Sequence, residues 1–254
     1  MHNIEFFNQI ILFIVSLLAN LFSAMAGGGA GLLQLPAIIF LGLTFTTALA
    51  THKVASVALG VGATVRHLKN SSLERKFAFF ILLTGLPGVT LGALVILQVP
   101  GRSAELALGV MTMGLAVYSF LQPQLGQICD EKHRDFSGYL IGGLVMFFIG
   151  VLNGSLTSGT GLFVTIWLVK WFGLDYKRAV AYTLILVGLF WNATGAFTLG
   201  MLGTIQWDWL PALLLGSFIG GYLGAHISIS RSNRLIKRVF ELMTLLVGLK
   251  LIFS

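Results

Sequence analysis

The residues with the most evident chemistry are Thr51, His52 and Lys53, which lie together near the middle of the apolar segment 44–66. A lysine at the centre of a membrane segment costs about 3 kcal/mol to insert. No aspartate or glutamate lies near the middle of any apolar segment, so the sequence offers Lys53 no carboxylate partner. Because a buried lysine without a partner either loses its proton or meets an anion, the cluster predicts an anion site. The alternative is a lysine that reaches a water-filled vestibule and binds no specific ligand.

Two glycine-rich interruptions lie at matching places in the two halves of the chain. The first is Gly27-Gly28-Gly29-Ala30-Gly31, in which each glycine costs a helix interior about 1 kcal/mol relative to alanine. The second, Leu156-Thr157-Ser158-Gly159-Thr160-Gly161-Leu162, is a weaker copy. Since lipid does not tolerate exposed non-helical backbone, both breaks are expected to be buried in protein or to line a polar cavity. Paired breaks of this kind are expected to meet at mid-depth in the membrane, where they predict the binding site of a transporter.

Several groups near the breaks could hold an oxyanion. The helix starts that follow the breaks, in segments 31–42 and 161–173, carry a positive partial charge and backbone N–H donors. His52 is either a neutral hydrogen-bonding residue or a proton carrier. Asn153 and Asn192 could contact the anion, or each could instead form a hydrogen bond between two helices. Thr165 is a further hydroxyl beside the second break. The substrate-binding residues predicted from these features are Gly28, Gly29, Gly31, Gln34, Thr51, His52, Lys53, Asn153, Ser158, Gly159, Thr160, Gly161 and Asn192.

The composition of the chain indicates that membrane helices carry these residues. The chain has 254 residues, of which 56% are hydrophobic and 10% charged, against about 25% charged in a soluble domain, and its mean hydropathy is +0.91. It is therefore predicted to be an all-α, polytopic membrane protein with about 8–10 membrane segments. Segments 31–42 and 161–173 are shorter than the roughly 20 residues of a full crossing, which predicts half-helices or re-entrant arms at the glycine breaks. The apolar segments are 6–26, 31–42, 44–66, 77–98, 103–121, 138–157, 161–173, 178–200, 209–229 and 236–253.

The two halves of the chain repeat. Short matches recur in the same order at offsets of 130 to 132 residues, such as Gly29-Ala30-Gly31-Leu32 with Gly159-Thr160-Gly161-Leu162 and Leu91-Gly92-Ala93 with Leu223-Gly224-Ala225. One such match arises easily by chance, but a collinear series does not. The predicted domains are a first transmembrane repeat (1–125), a cytoplasmic linker (126–137) and a second transmembrane repeat (138–254).

Lysines and arginines predict the orientation. Most fall in four short loops that can all be cytoplasmic under the positive-inside rule, within 66–76, 132–134, 170–178 and 231–238. Segment 44–66 then runs from outside to inside, and its repeat mate runs from inside to outside. The two repeats are therefore predicted to be inverted, which needs an odd number of crossings in each half; the simplest count is five segments per half.

Motifs for other functions are missing. The run GGGAGLLQLP is followed by no Lys-Ser or Lys-Thr pair, so it is not a Walker A motif, and it does not fit the dinucleotide-binding pattern. The sequence has no HExxH, no paired intramembrane aspartates and no nucleophile–base set, and Cys129 is its only cysteine. We therefore expect that the protein is not an enzyme and that it binds neither a metal nor a cofactor. The net charge of +7 sits in the short loops, so no nucleic-acid partner is predicted either.

At its glycine-rich motifs the chain resembles the TauE/SafE family of membrane permeases, also called the sulfite exporter or TSUP family. The motifs are Gly27 through Pro36, then Ala48-x-Ala50-Thr51-His52-Lys53, and in the second half Asn153 through Gly161, then Ala179-x-Ala181-Tyr182-Thr183. The chain departs from the family pattern at His52, where asparagine is frequent, and at Ile166, where proline is common. The resemblance implies transport of sulfite or related organosulfur anions and a place in the bacterial inner membrane. It also implies that Thr183 belongs to the substrate site.

Together these features predict a secondary transporter that exports sulfite or a related sulfonate by alternating access. Export is favoured because a negative interior drives an anion outward by about 2.3 kcal/mol per charge per 100 mV. The alternatives are an anion channel, an uptake permease for sulfur compounds, and an accessory membrane subunit without transport. The predicted partners are a small anionic substrate and the lipid bilayer, and a homodimer is left open.

Overall fold

The computed structural model describes residues 2–69, 73–96, 101–157 and 159–253, and all regular secondary structure within these ranges is helical. The helices are α1 (His2–Ala26), α2 (Gln34–Phe40), α3 (Phe45–His67), α4 (Arg75–Val95), α5 (Gly101–Leu121), α6 (Phe136–Ser155), α7 (Thr160–Lys170), α8 (Tyr176–Tyr182), α9 (Asn192–Leu202), α10 (Leu210–Ser230) and α11 (Asn233–Phe253). Single 3-10 turns precede α2 (Ala30–Leu32) and α10 (Trp207–Trp209). A π-helical segment (Thr183–Trp191) joins α8 to α9 in one continuous stretch.

The predicted all-α membrane fold is confirmed. Each predicted apolar segment corresponds to a helix or to the continuous stretch Tyr176–Leu202. Within the described ranges, six helical stretches are long and apolar enough to cross a membrane, which makes the chain a multi-pass membrane protein. The six are Phe7–Ala26, Phe45–His67, Arg75–Val95, Phe136–Ser155, Tyr176–Leu202 and Trp207–Ser230.

The short helix α7 does not cross the membrane. It has 11 residues, and at about 1.5 Å per residue its length is only about 17 Å. It returns to the face where α6 begins: Trp171 Nε1 donates to the Gly138 carbonyl at 3.0 Å, and the Lys132 N–H donates to the Phe172 carbonyl at 3.1 Å. The second glycine break is thus the tip of a re-entrant hairpin made of α6 and α7.

The hairpin of α1 and α2 is built in the same way on the opposite face. Its short arm α2 has seven residues. The loop after α2 leads to Thr47, whose hydroxyl is hydrogen-bonded to that of Thr204 at 2.9 Å, and Gln9 near the start of α1 donates to the Asp208 carbonyl at 2.7 Å. Both ends of this hairpin therefore lie beside the 203–209 loop. Because neither short arm crosses, five segments per half do not make five crossings, and an odd number of net crossings in each half stays a prediction.

The basic loops lie on one face. The Asp130 N–H donates to the Gly173 carbonyl at 2.8 Å, and Asn233 Nδ2 donates to the Gln127 carbonyl at 3.0 Å. Arg66 Nε donates to a histidine near the end of α10 at 2.9 Å. Because this face collects the lysines and arginines, the positive-inside rule predicts that it is the cytoplasmic face, and we refer to it by that name. The face that carries the 203–209 loop is then the predicted outer face.

The helix directions are compatible with the predicted inverted repeat. α3 runs from the outer face to the cytoplasmic face, and the stretch from α8 to α9 runs back. Matching glycines have left-handed backbone at both ends of the short arms: Gly29 and Gly159 (φ 100° and 76°) precede them, and Gly42 and Gly173 (φ 108° and 72°) follow them. Side chains other than glycine are strained in this region of backbone space. The sequence repeat therefore corresponds to a repeat in backbone conformation.

Glycines also let two helix pairs pack closely. A Cβ atom on Gly216, Gly220 or Gly224 of α10 would overlap a backbone carbonyl of α1, and a Cβ atom on Gly88 or Gly92 of α4 would overlap a carbonyl of α6. Small residues four apart are the usual means of close helix approach in membranes. The α1–α10 and α4–α6 pairs hold each hairpin against a full-length helix of the other half of the chain.

Candidate functional site

The two glycine breaks lie in direct contact, as the sequence predicted. A Cβ atom on Gly28 would overlap the backbone of Gly161, and one on Gly161 would come within 2.8 Å of the Gly27 carbonyl oxygen. Thr165 Oγ1 donates to the same carbonyl at 3.1 Å. The tips of the two re-entrant hairpins therefore meet inside the protein, where their irregular backbone is shielded from lipid.

The sequence predicted that a helix starts directly at each break, but in the structure only the second break is followed directly by a helix of more than two turns. The first break is followed by a single 3-10 turn and the seven-residue α2. The second is followed directly by α7, whose first residues Thr160 and Gly161 face the space between the tips. The positive end of one helix dipole, rather than of two, therefore points at the site.

A small cavity lies where the tips meet. Its volume is about 40 Å³, which holds about three water molecules or one small oxyanion. The predicted site residues that line it are Gly28, Gly29, Gly31, His52, Asn153, Thr160, Gly161, Thr183 and Asn192. Ser23, Ser56 and Thr157 line it as well and were not among the predicted residues. Ser56 lies one helical turn after His52, and the other two lie beside the breaks, so proximity in sequence was the available signal.

Lys53 lies behind the cavity wall rather than in it. Its Nζ donates to the backbone carbonyl of Asn153 at 2.6 Å, to Asn153 Oδ1 at 2.8 Å and to Asn192 Oδ1 at 3.1 Å, and the side chain is fully buried. No carboxylate pairs with it among the described residues. The ammonium contacts amide oxygens of the second repeat instead of lining the anion site.

Both asparagines present their amides to the cavity while Lys53 holds their oxygens. Asn153 Nδ2 donates to Thr160 Oγ1 at 2.9 Å, and Asn192 Nδ2 donates to the Gly188 carbonyl at 3.3 Å. Since an amide NH₂ group has two hydrogens, each asparagine has a second N–H beyond the one used. Lys53 thus fixes which end of each amide is the donor.

The His52 side chain is held between two polar neighbours. Its Nδ1 lies 2.9 Å from Gln34 Oε1, and its Nε2 lies 3.3 Å from Ser56 Oγ. Gln34 Nε2 donates to Ser16 Oγ at 2.9 Å, so Gln34 Oε1 accepts from His52. This pattern fits a neutral imidazole with its proton on Nδ1 and an Nε2 that accepts from Ser56. Gln34 itself lies behind His52 and does not line the cavity.

The second repeat has a counterpart to this pair. Thr165 Oγ1 donates to Thr183 Oγ1 at 3.0 Å, and the two residues are 18 apart, as are Gln34 and His52. The positions correspond through the 131-residue offset of the repeat. One member of each pair lines the cavity, and it is a histidine in the first half where the second half has a threonine.

The π-helical segment brings Thr183 and Asn192 to the same wall. The two residues are nine apart, and in an α-helix of about 3.6 residues per turn they would lie on opposite sides. The wider i→i+5 turns of Thr183–Trp191 rotate them together, so Thr183, Val187 and Asn192 all face the cavity. Nothing in the composition of this apolar stretch marks it as π-helical.

Two further predicted site residues, Thr51 and Gly159, do not line the cavity, besides Lys53 and Gln34. Thr51 lies toward the outer face, where its Oγ1 donates to the Thr47 carbonyl at 2.7 Å and accepts from the Gln206 N–H at 3.0 Å. Gly159 precedes α7 with left-handed backbone and shapes the break. Ser158 lies outside the described residues.

Comparisons with known proteins agree with this architecture. The family model of the sulfite exporter TauE/SafE matches residues 12–251. A probable membrane transporter protein of Haemophilus influenzae is 27% identical over 246 residues, which cover 96% of this chain and 94% of that protein. The probable membrane transporter protein YfcA of Escherichia coli is 25% identical (96% and 89% covered), and YunE of Bacillus subtilis, which has the same description, is 22% identical (96% and 97% covered). No solved structure matches.

Proposed function

Because the chain belongs to the sulfite exporter TauE/SafE family of membrane transporters, we propose that it exports sulfite or a related small organosulfur anion by alternating access. The observation that carries this proposal is the small polar cavity between the two hairpin tips. Its walls come from both halves of the chain, so a relative movement of the halves changes access to it. A site at the interface of two repeats is the usual arrangement in secondary transporters.

The electrostatics of the cavity favour an anion. The Lys53 ammonium lies behind the cavity wall, where it contacts only uncharged oxygens of Asn153 and Asn192. The N-terminal end of α7 points into the same space. A positive charge without a counter-ion in a medium of low dielectric attracts an anion strongly. The amide N–H groups of Asn153 and Asn192 would then donate to the oxygens of the anion.

The size of the cavity favours a compact ion. A cavity of about 40 Å³ suits sulfite, with three oxygens on one sulfur, better than it suits the carbon chain of a larger sulfonate. We therefore place sulfite ahead of extended sulfonates. Export is the favoured direction, since the membrane potential alone drives an anion out of a negative interior.

Sulfite efflux from proteoliposomes tests the proposal. Purified protein should release internal sulfite faster when the interior is made negative, the rate should saturate with sulfite concentration, and external sulfite should produce counterflow. Efflux that does not saturate and shows no counterflow would support an anion channel instead. Purified protein that moves none of sulfite, sulfate, thiosulfate or short sulfonates would favour the accessory-subunit alternative.

A further inference from the structure

On the outer face, α3 is tied to the loop that joins α9 and α10. The Gln206 N–H donates to Thr51 Oγ1 at 3.0 Å, and the Thr47 and Thr204 hydroxyls are hydrogen-bonded at 2.9 Å. Both contacts join the first half of the chain to the second. The start of α3 and the loop before α10 are therefore closed against each other above the cavity.

On the cytoplasmic face, the same hydrogen bond occurs between the corresponding residues. The Glu74 N–H donates to the Tyr182 hydroxyl at 2.8 Å. Tyr182 follows Thr51 by 131 residues and Gln206 follows Glu74 by 132, which is the offset of the sequence repeat. In both cases the backbone N–H of a residue just before a membrane helix donates to a side-chain hydroxyl. That hydroxyl belongs to α3, which carries His52, on the outer face, and to the helical stretch that carries the corresponding residue Thr183 on the cytoplasmic face. The two bonds are thus counterparts on opposite faces.

The two hydrogen bonds differ in how far the hydroxyl group lies from the backbone of its own residue. The threonine hydroxyl lies next to the backbone, whereas the tyrosine hydroxyl lies at the far end of an aromatic ring. The cytoplasmic elements are accordingly held further apart, and a vestibule of about 460 Å³ opens between them, lined by Glu74, Glu131, Lys177, Arg178, Ala181 and Tyr182. The next residues after Tyr182, Thr183 and Leu184, line the central cavity. The vestibule and the central cavity are therefore lined by successive residues of the same helical stretch.

We propose that the Thr51–Gln206 and Tyr182–Glu74 hydrogen bonds are matched gates, and that the vestibule is the cytoplasmic entrance for the anion. Both hydrogen bonds are formed in this structure, which therefore represents a state with both gates shut and with the vestibule leading up to the cytoplasmic gate. Release to the outside requires the Thr51–Gln206 and Thr47–Thr204 contacts to separate. This inference rests on the proposed alternating access, but it names which contacts must open.

A reversible cross-link across the outer gate tests the proposal. In a Cys129→Ser background, the pair Thr47→Cys and Thr204→Cys replaces two hydroxyls that already touch, so a disulfide should form after a small shift. Oxidation should abolish sulfite efflux in proportion to the cross-linked fraction, and reduction should restore it. The matched control is the pair Thr44→Cys and Thr47→Cys, whose hydroxyls are 3.0 Å apart within one segment. Its oxidation should leave the efflux rate as it is in the reduced state.

A second readout does not depend on sulfite transport. A cysteine at Ser56, in the cavity wall, should react with a membrane-impermeant thiol reagent from both faces in the reduced protein. It should react from the cytoplasmic face only once the outer pair is cross-linked. Labelling from the outer face after cross-linking, or unchanged efflux, would overturn the gate assignment. Loss of sulfite efflux in the reduced protein together with one-sided labelling of the oxidised protein would keep the gates and reject sulfite as the substrate.

Discussion

Lys53 acts on the site through two asparagines. The sequence located this residue correctly as a buried lysine without a carboxylate, because its position in an apolar segment is visible from the sequence alone. Its partners could not be found in that way, since Asn153 and Asn192 lie 100 and 139 residues further along the chain. The expectation that Lys53 contacts the anion is replaced by a positioning role, in which the ammonium supplies charge and fixes the donor ends of both amides.

Replacing Lys53 with methionine tests this role. The variant Lys53→Met keeps the length of the side chain but leaves the asparagine oxygens without a donor. Because hydrogen bonds to charged groups contribute about 1.5–3 kcal/mol, sulfite affinity should fall roughly 10- to 100-fold. The dissociation constant of the purified protein measures the effect. Lys170→Met at the exposed end of α7 is the matched control and should bind sulfite as the native protein does. Unchanged affinity in Lys53→Met would place the anion elsewhere.

His52 serves as a hydrogen-bonding residue in its contacts with Gln34 and Ser56. An asparagine at this position offers the same combination of one donor and one acceptor without a titrating ring. We expect His52→Asn to retain sulfite efflux with an unchanged pH profile between about pH 6 and pH 8, where an ordinary histidine titrates. His52→Ala should lose efflux, because it leaves Gln34 and the cavity wall without a partner. A flattened pH profile in His52→Asn would show that the imidazole carries a proton during transport.

The contact between the hairpin tips depends on the absence of side chains at the glycine breaks. The density of glycines predicted where helices stop, and the predicted contact between the breaks is present. The shortness of the arms was predicted, but the 3-10 turn in place of a helix start at the first break and the π-helical segment were not, because both depend on how the halves pack rather than on local composition. Of the polar residues in the site, those on the breaks were the easiest to identify, and the helix-borne Ser56 was missed.

Gly161→Ala tests the contact without a change in backbone preference. Gly161 lies in the first turn of α7, so alanine suits the local conformation, but its Cβ atom would come within 2.9 Å of Gly28 Cα. Overpacking of this kind costs about 1–3 kcal/mol, so the melting temperature in detergent should fall and sulfite efflux should drop. The control is Gly114→Ala on α5, where an added Cβ meets no atom within 4 Å. That variant should be as stable as the native protein or slightly more stable. Equal stability of both variants would mean that the tips are not tightly packed.

At the scale of the whole molecule, the main feature is that the loops rich in lysine and arginine lie on one face. The distribution of lysines and arginines predicted which loops share a face, and hydrogen bonds between those loops bring them together. The assignment of repeats and linker to 1–125, 126–137 and 138–254 stays a prediction. Charge patterns in short loops are informative because they act during insertion, independently of how the helices later pack.

Thiol labelling tests this orientation. Cys129, the only cysteine, lies in the basic linker and is partly exposed. A membrane-impermeant maleimide should label it in inside-out vesicles and leave it unlabelled in right-side-out vesicles. In a Cys129→Ser background, Asp208→Cys on the opposite face should show the reverse pattern. Labelling of Cys129 from outside would invert the topology and, with it, the direction in which the vestibule opens.

The most direct measurement is sulfite binding by the variant Asn192→Asp. This change keeps the shape of the side chain, but it places a carboxylate where Asn192 Oδ1 already accepts from Lys53 at 3.1 Å, so the charge behind the cavity is neutralised. We expect Asn192→Asp to fold, because an ion pair with Lys53 offsets the loss of the hydrogen bond from Nδ2 to the Gly188 carbonyl. It should lose sulfite binding and counterflow, while Asn233→Asp on the cytoplasmic face retains both. Native sulfite affinity in a well-folded Asn192→Asp protein would contradict an anion site formed by the hairpin tips and the uncompensated charge of Lys53.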